Sequence, residues 1–293
     1  MNALFIVLPV LILLMFTLGL ELRPADFTRV FTRPRAATAG LLTQLVGLPL
    51  VAFAVAKLLG LSPVFAVGLV ILAASPGGAS SNVFTMLARG DVALSVTLTA
   101  ISSVLTIFSI PVLVNLAMVT WFEADTVLRL DIMRVLLQNG VTILLPVAAG
   151  MILRSRRQRT AEKAHALLRR ASLPLLILMI VVFVAQQWRV LAANISTLAF
   201  ATLLLILITM GLGAMLGAGL RLPEAVRRTL LIEVGMQNAA QAIAIAASPF
   251  LLNDFAFAIP AVVYAVMMNV VLLTYLALLR KHSTHAHSAG LNR

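Results

Sequence analysis

Long apolar stretches follow one another along the chain, and the charged residues collect in the short segments between them. A transmembrane helix needs about 20 consecutive apolar residues, whereas the strands of a membrane barrel alternate polar and apolar positions. Because these stretches do not alternate, the pattern predicts an all-α integral membrane protein. We place about nine transmembrane helices, at residues 3–20, 36–59, 64–88, 92–119, 134–153, 173–188, 196–220, 225–249 and 255–280.

Composition and charge support this class. Of the 293 residues, 61% are hydrophobic and 11% are charged, which leaves no stretch for a soluble domain. The sequence contains no cysteine, so neither disulfides nor thiolate metal sites are expected. The net charge of +12 indicates topology rather than nucleic acid binding, because the basic residues lie in alternate loops. Their placement predicts an N-terminus outside and a C-terminus in the cytoplasm. The first stretch is expected to be a retained span rather than a signal peptide, because no cleavage site follows it.

Two of the predicted spans carry helix-breaking residues near their middle. The third contains Ser75-Pro76-Gly77-Gly78, and the eighth contains Gly235 shortly after Glu233. Proline removes a backbone donor and glycine lowers helix propensity, so both helices should be interrupted. Breaks inside a membrane are tolerated where the freed backbone groups line a cavity or bind a ligand. Since these spans are five crossings apart, they run in opposite directions, as in the inverted repeats of secondary transporters.

Glu233 is the only acidic residue that we place near the middle of the membrane. A charged side chain there costs about 2.5–3.5 kcal/mol, so it normally marks an ion path or a proton relay. Sodium is a hard cation that prefers oxygen ligands, and oxygen-bearing groups recur around the two breaks. They are the side chains of Ser81, Asn82, Ser95, Thr99 and Gln237 and the carbonyl groups of Val234 and Met236.

These residues leave several functions open. The Ser and Thr side chains could serve only their own helix backbones or the packing of helices. A proton-coupled organic anion transporter would use Glu233 as its titrating group, and a membrane enzyme would use it as a general base. The predicted spans contain no paired carboxylates, HExxH motif or nucleophile–histidine pair, which disfavours the enzyme. A receptor would bind the same ligand without moving it across the membrane.

Two sequence stretches, ASPGGASSNVFTMLARGDVALSVTLT and IEVGMQNAAQA, resemble the signature stretches of the bile acid:sodium symporter family, in its bacterial branch. The likeness extends over nearly the whole chain. It implies a core domain, in which two broken helices cross near mid-membrane, and a panel domain. The panel helices would lie at approximately 3–20, 134–153 and 173–188, and the core helices at approximately 36–119 and 196–280. The chain would be a nine-helix version without the first of the ten helices common in bacterial members.

The resemblance also implies two sodium sites that share one carboxylate. The first comprises Ser81, Asn82, Ser95, Thr99 and Glu233, and the second comprises Gln44, Glu233, Val234, Met236 and Gln237. From the residues alone, Gln44 is equally well explained as a helix–helix contact. Substrate binding would fall to Asn238, Ala79 and Gln241. Bacterial relatives often have threonine in place of Ala79 and Ser-Gly-Leu in place of Ala239-Ala240-Gln241, so the cation ligands match while the substrate-facing surface differs.

We therefore expect a secondary active symporter of the bacterial inner membrane, and not an enzyme. It would import a small organic anion, such as a 2-oxo or 2-hydroxy carboxylate, with two Na⁺ as coupling ions and by alternating access. The anion and membrane lipid are the expected partners, with no nucleic acid and no obligatory protein partner. Asp91 is expected to cap the fourth segment. Metal binding by the tail residues His282, His285 and His287 is not expected.

Overall fold

The structure, a computed structural model, describes residues 4–122, 133, 137, 140–246 and 254–290. Within these ranges the regular elements are helical and no β-strand occurs. The helices, numbered here in chain order, are α1 (Leu4–Glu21), α2 (Pro24–Thr28), α3 (Pro34–Leu58), α4 (Pro63–Ala74), α5 (Ala79–Leu87), α6 (Val92–Trp121), α7 (Leu145–Arg156), α8 (Gln158–Gly219), α9 (Glu224–Gly235), α10 (Ala239–Ala246) and α11 (Ile259–Gly290). A π-helical turn, Thr43–Gly47, lies inside α3, another, Gly140–Leu144, precedes α7, and short 3-10 turns occur at Arg29–Phe31 and Phe255–Ala258.

Four helices in the described part of the chain are long and apolar enough to cross a membrane. They are Pro34–Leu58, Val92–Trp121, Gln187–Gly219 and Phe255–Lys281, and shorter apolar helices occur at Ile12–Glu21 and Pro63–Ala74. This confirms the prediction of an all-α, multi-pass membrane protein, while the number of nine crossings and the inverted repeat stay predictions. Most of the loop predicted at residues 120–133 lies outside the described residues, as do most of residues 134–139 in the next predicted span and the side chains of His282, His285 and His287.

The sixth and seventh predicted segments meet at a kink inside α8. We expected a loop between residues 188 and 196, but these residues are helical, and the two helical parts join at Gln187, which departs from helical geometry with φ −113° and ψ 17°. The residues that follow, Arg189-Val190-Leu191-Ala192-Ala193, include several strong helix formers, which explains why no irregular loop is needed there. The prediction of a separate loop was therefore wrong, and a single residue marks the junction.

Both predicted breaks are present, and the two broken helices meet at them. The chain leaves helical geometry between α4 and α5, at Ser75–Gly78, and again between α9 and α10, at Met236–Asn238. Ser75 is extended, with ψ 151°, as expected for a residue before proline. The two links pair through an antiparallel bridge between Gly77 and Gln237, and the Asn238 N–H donates to the Pro76 carbonyl at 2.8 Å. The crossing of the broken helices is thus held by backbone hydrogen bonding.

Helix α4 lies at the centre of the fold and leads into the first break. Every residue from Phe65 to Ala74 is buried, as expected for a helix that is apolar on all sides. It packs against α3, α6 and α11. Gly68 permits a close contact with the 3-10 turn that precedes α11, because a Cβ atom there would run into the carbonyl oxygen of Phe257. The break is therefore anchored by a helix that neighbours enclose on each side.

A second group of contacts joins α1, α7 and α8. Gly19 and Gly150 lie where α1 and α7 touch, and a Cβ atom on either would collide with the backbone of the other helix. Small residues that bring helix backbones together are typical of packing in membranes. Arg154 donates a hydrogen bond to the carbonyl of Leu20, and His165 lies 2.8 Å from Glu21, so polar contacts close one end of this group.

Asp91 caps α6, as the sequence predicted. Its Oδ1 accepts a hydrogen bond from the Leu94 N–H at 3.1 Å, and its Oδ2 lies 3.3 Å from the guanidinium of Arg33. Its backbone N–H donates to the Thr229 hydroxyl at 2.7 Å, which ties the start of α6 to α9.

Replacing Asp91 with alanine is expected to lower the free energy of unfolding by about 1 kcal/mol, because the N-cap acceptor is lost. Asparagine keeps that acceptor and is expected to cost less. Thermal unfolding in detergent measures both variants. Equal losses for the two variants would show that the ion pair with Arg33, rather than the cap, carries the effect.

Candidate cation-binding site

Glu233 lies in the last turn of α9, immediately before the second break, and its side chain is fully buried. Its Oε2 accepts a hydrogen bond from the Ser95 hydroxyl at 2.6 Å, and its Oε1 accepts one from the Thr99 hydroxyl. Ser95 and Thr99 can both reach it because residues four apart share one face of α6. No basic side chain forms an ion pair with Glu233 in the described ranges. The carboxyl group therefore points into the protein, towards hydroxyl groups and away from lipid.

The residues predicted for a first sodium site converge on this carboxyl group. Ser95 Oγ lies 2.8 Å from Asn82 Oδ1 as well as 2.6 Å from Glu233 Oε2. Ser81 is fully buried on α5 near the carboxyl group, and its Oγ has no hydrogen-bond partner among the described residues. Four side chains from α5 and α6 thus surround one acidic side chain from α9. The structure brings together all five members of the predicted set.

Gln44 approaches the same region from the π-helical turn of α3. Its side chain is 2% exposed, and neither its Oε1 nor its Nε2 has a hydrogen-bond partner in the described part of the chain. A Cβ atom on Gly77 would lie 2.6 Å from Glu233 Oε1, 3.0 Å from Gln44 Nε2 and 3.3 Å from Thr99 Oγ1. These three side chains therefore meet around the bare Cα of Gly77. Single π-helical turns inside α-helices occur frequently at functional sites.

The second break supplies the remaining members of the predicted second set. Val234, Met236 and Gln237 are all buried, and Met236 is extended, with φ −125° and ψ 109°. Gln237 Nε2 donates to the Val234 carbonyl at 3.1 Å, whereas its Oε1 has no partner among the described residues. Buried polar atoms are nearly always hydrogen-bonded. Two unpartnered amide oxygens, on Gln44 and Gln237, are therefore available to a cation, and the oxygen-rich ligand set fits sodium.

The residues predicted to bind the substrate lie at the start of α10 and α5. Asn238 Oδ1 accepts a hydrogen bond from the Gln241 N–H at 3.0 Å, so this side chain caps α10. Its Nδ2 lies 3.5 Å from Gln241 Oε1, and the Gln241 Nε2 is buried without a partner in the described chain. Ala79 begins α5, but its side chain is outside the described part. The cap role of Asn238 was missed, although asparagine before a short helix is its usual signal.

Two further side chains belong to this region and were not singled out from the sequence. The Thr85 hydroxyl lies 3.4 Å from Ser95 Oγ, and Tyr264 on α11 contacts the second break. Thr85 shares a helix face with Ser81, four residues earlier, which was a usable signal. Tyr264 is one of only two tyrosines in the chain, but nothing in its local sequence connects it to a break 27 residues away.

Comparisons of the sequence with known proteins identify relatives of this chain. The profile of the Sodium Bile acid symporter family matches residues 8–194. An uncharacterized sodium-dependent transporter of Bacillus subtilis, YocS, is 31% identical over 266 residues, which cover 88% of this chain and 77% of YocS.

Other relatives come from plants and mammals. A probable chloroplastic sodium/metabolite cotransporter of Arabidopsis thaliana, BASS1, is 30% identical over 236 residues, or 80% of this chain and 57% of the plant protein. The hepatic sodium/bile acid cotransporter of Rattus norvegicus is 29% identical over 147 residues, or 50% of this chain and 40% of the rat protein. The chain thus spans little more than half the length of the plant relative. Taken with the match over residues 8–194, these likenesses show that the chain belongs to the sodium bile acid symporter family, a family of sodium-coupled transporters and not of enzymes.

Proposed function

We propose that the protein imports a small organic anion, a carboxylate, together with two Na⁺ by alternating access. The observation that carries this proposal is the Glu233 carboxyl group, which is fully buried, has no ion-pair partner among the described residues and is surrounded by oxygen atoms. A buried carboxylate without a compensating charge is costly. A bound cation supplies the positive charge that offsets the carboxylate. When the cation leaves, the carboxylate is again buried without an opposite charge.

The hydrogen-bond arrangement at Ser95 supports a cation between α5, α6 and α9. The Ser95 hydroxyl carries one proton, yet two oxygen atoms lie within hydrogen-bond distance of it, Asn82 Oδ1 and Glu233 Oε2. One proton can satisfy only one of these acceptors. A sodium ion coordinated by the Ser95, Asn82 and Glu233 oxygens would offset the repulsion between these three closely spaced oxygen atoms. This is the first proposed sodium site, with Ser81 and Thr99 completing its ligands.

The second proposed sodium site would use the amide oxygens that lack partners. Gln44 Oε1 and Gln237 Oε1 are buried in the same region as Glu233, and neither accepts a hydrogen bond from the described chain. The carbonyl groups of Val234 and Met236 belong to the same link. Because Glu233 has two carboxyl oxygens, it can serve both sites at once. An ion at one site would hold the shared carboxyl group in position for the other site, and this coupling is reciprocal.

The energetics favour two sodium ions over one. Each entering Na⁺ gains about 2.3 kcal/mol from a potential of 100 mV and about 1.4 kcal/mol from a tenfold gradient. Two ions supply roughly 7 kcal/mol, and a monoanion that enters against the field costs about 2.3 kcal/mol. The remaining ~5 kcal/mol supports accumulation of several thousandfold. One ion would leave only about 1.4 kcal/mol.

An anionic substrate fits the two helix starts at the crossing. Helices α5 and α10 both begin there, and the N-terminus of a helix favours negative charge through its free N–H groups and its dipole. The buried Gln241 Nε2 adds an amide donor at the start of α10. The core would rock against the panel to expose this region to each side of the membrane in turn.

Proton coupling through Glu233 is the competing proposal, and one experiment separates the two. The purified protein is screened by thermal shift against small carboxylates in sodium and in potassium. The stabilising compounds are then tested for uptake into proteoliposomes. We expect stabilisation in sodium only, and uptake driven by a sodium gradient at fixed pH. Uptake in potassium that follows a pH gradient would contradict sodium coupling and support the rival.

Replacing Gln44 with leucine is expected to weaken sodium binding at the second site alone. Leucine fills a similar volume but removes both amide atoms, so the Hill coefficient for sodium should fall towards one. The half-saturating sodium concentration should rise about tenfold, equivalent to about 1.4 kcal/mol. Uptake measured against sodium concentration gives both values, and Gln158→Leu, at an exposed position on α8, is the matched control. An unchanged Hill coefficient would remove Gln44 from the site.

A further inference from the structure

The second break leaves backbone groups that a continuous helix would have satisfied, and one side chain from another helix satisfies two of them. Tyr264 on α11 is 1% exposed. Its hydroxyl donates a hydrogen bond to the Gly235 carbonyl at 2.8 Å and accepts one from the Gln237 N–H at 3.0 Å. These two groups lie on either side of Met236. A single hydroxyl therefore holds both ends of the link between α9 and α10.

In the described part of the chain, no side chain from a third helix makes a comparable hydrogen bond to the first break. The Ser75 hydroxyl donates to the Ile71 carbonyl of its own helix at 2.9 Å. Pro76 has no N–H group, and its carbonyl accepts from the Asn238 N–H of the other break. The first link is thus satisfied by its own helix and by the second link. The second link, in contrast, depends on α11.

We propose that Tyr264 is a positioning residue for the second sodium site, which rests on the proposed function above. Its hydroxyl fixes the Gly235 and Gln237 backbone groups and so sets the direction of the Met236 carbonyl between them. The Gln237 side chain, which donates to the Val234 carbonyl, is held from the same backbone. The hydroxyl donates one hydrogen bond and accepts one, both with backbone groups, so we assign Tyr264 to orienting the ligands rather than to binding sodium.

This role predicts a specific change in the dependence on sodium. Without the hydroxyl, the Gly235 carbonyl and the Gln237 N–H lose their partner, and the link can turn its carbonyl groups away from the site. Sodium must then restore the order of the link each time it binds. The first sodium site, built from α5, α6 and Glu233, does not contact Tyr264 through any hydrogen bond in the described chain. Substrate affinity at saturating sodium should also be preserved.

Tyr264→Phe tests the proposal, because it removes the hydroxyl and keeps the ring. Tyr275→Phe on the same helix is the matched control, since Tyr275 is partly exposed and no hydrogen bond joins it to either break among the described contacts. Both variants are reconstituted in proteoliposomes, and uptake is measured against sodium concentration. For Tyr264→Phe we expect a half-saturating sodium concentration raised about tenfold, or about 1.4 kcal/mol. We also expect a Hill coefficient closer to one, with maximal uptake and substrate KM at saturating sodium near those of the unaltered protein.

Three outcomes would overturn the proposal. A half-saturating sodium concentration unchanged from that of the unaltered protein would show that the hydroxyl does not position the ligands. A lower maximal uptake with an unchanged sodium curve would assign Tyr264 to another step. Failure of Tyr264→Phe to fold in both sodium and potassium would show that the hydroxyl serves the fold itself. A second variant, 4-aminophenylalanine at position 264, keeps a hydrogen-bonding group on the ring and is expected to restore most of the sodium affinity. Sodium-independent uptake by the unaltered protein would instead reject the proposed function, so the two failures are distinguishable.

Discussion

Glu233→Gln is expected to abolish sodium-dependent transport while leaving the protein folded in the membrane. Glutamine has nearly the same shape and keeps one oxygen that can accept from Ser95 or Thr99, but it has no charge. Both proposed sodium sites then lose the group that offsets the dehydration of the cation. Removing one partner of a buried ion pair costs about 3–5 kcal/mol, so sodium affinity should fall by more than about a hundredfold.

The control for this variant lies on the same helix. Glu224 is at the start of α9, its side chain is 64% exposed, and it pairs with Arg228. Exposed ion pairs contribute little, so Glu224→Gln should leave the sodium curve unchanged. Thermal shift in sodium against potassium, followed by uptake, measures both variants. Sodium-dependent stabilisation of Glu233→Gln equal to that of the unaltered protein would refute the role of the carboxylate.

Gly77→Ala is expected to have the second-largest effect, because a methyl group there would occupy the site itself. Its Cβ atom would lie 2.6 Å from Glu233 Oε1 and 3.0 Å from Gln44 Nε2, closer than these atoms can approach without moving. Overpacking of this kind typically costs about 1–3 kcal/mol. Since the displaced atoms are proposed sodium ligands, the loss should appear in sodium affinity, as a fall of about tenfold or more.

The neighbouring glycine provides a close control. A Cβ atom on Gly78 would come no nearer than 3.4 Å to any atom, which is ordinary van der Waals contact, and its φ of −85° suits alanine. Gly78→Ala should therefore transport with nearly unchanged sodium dependence. If the two alanine variants behave alike, the effect comes from stiffening the link rather than from crowding the site. Sodium titrations of uptake for the pair decide between these explanations.

Much of the fold and part of the site could be predicted because they depend on local chemistry. Pro76 and the glycines beside it disfavour a helix at the first break, and Gly235 does so beside the second, so both breaks were predicted close to where they occur. Asp91 likewise caps the helix that follows it. Ser95 and Thr99 were expected on one face because they are four residues apart. A carboxylate within an apolar segment was expected to be buried against polar groups. Glu233 is fully buried and contacts the hydroxyl groups of Ser95 and Thr99.

Other features were not predicted, and only the last of the three that follow depends on contacts between distant parts of the chain. The loop expected after residue 188 is helical, since the propensity of its residues outweighed the boundary that we placed from hydropathy. The cap that the Asn238 oxygen provides for α10 was missed, although it is a local contact with Gln241, and the role of Asn238 in substrate binding stays a prediction. The contact of Tyr264 with the second break left no local signal. Tyr264 reaches the second break only because α11 packs against α10 in the folded protein.

The sequence by itself determined the class of protein, the places where two helices break and the single acidic side chain that must be compensated within apolar surroundings. These follow from hydropathy, backbone propensity and the cost of burying charge, each of which acts over a few residues. Only the tertiary structure decided which groups meet at that carboxylate. Gln44 and Gly77 lie 33 residues apart in the sequence, and Ser95 and Glu233 lie 138 residues apart. Only the packing of the helices brings such pairs into contact.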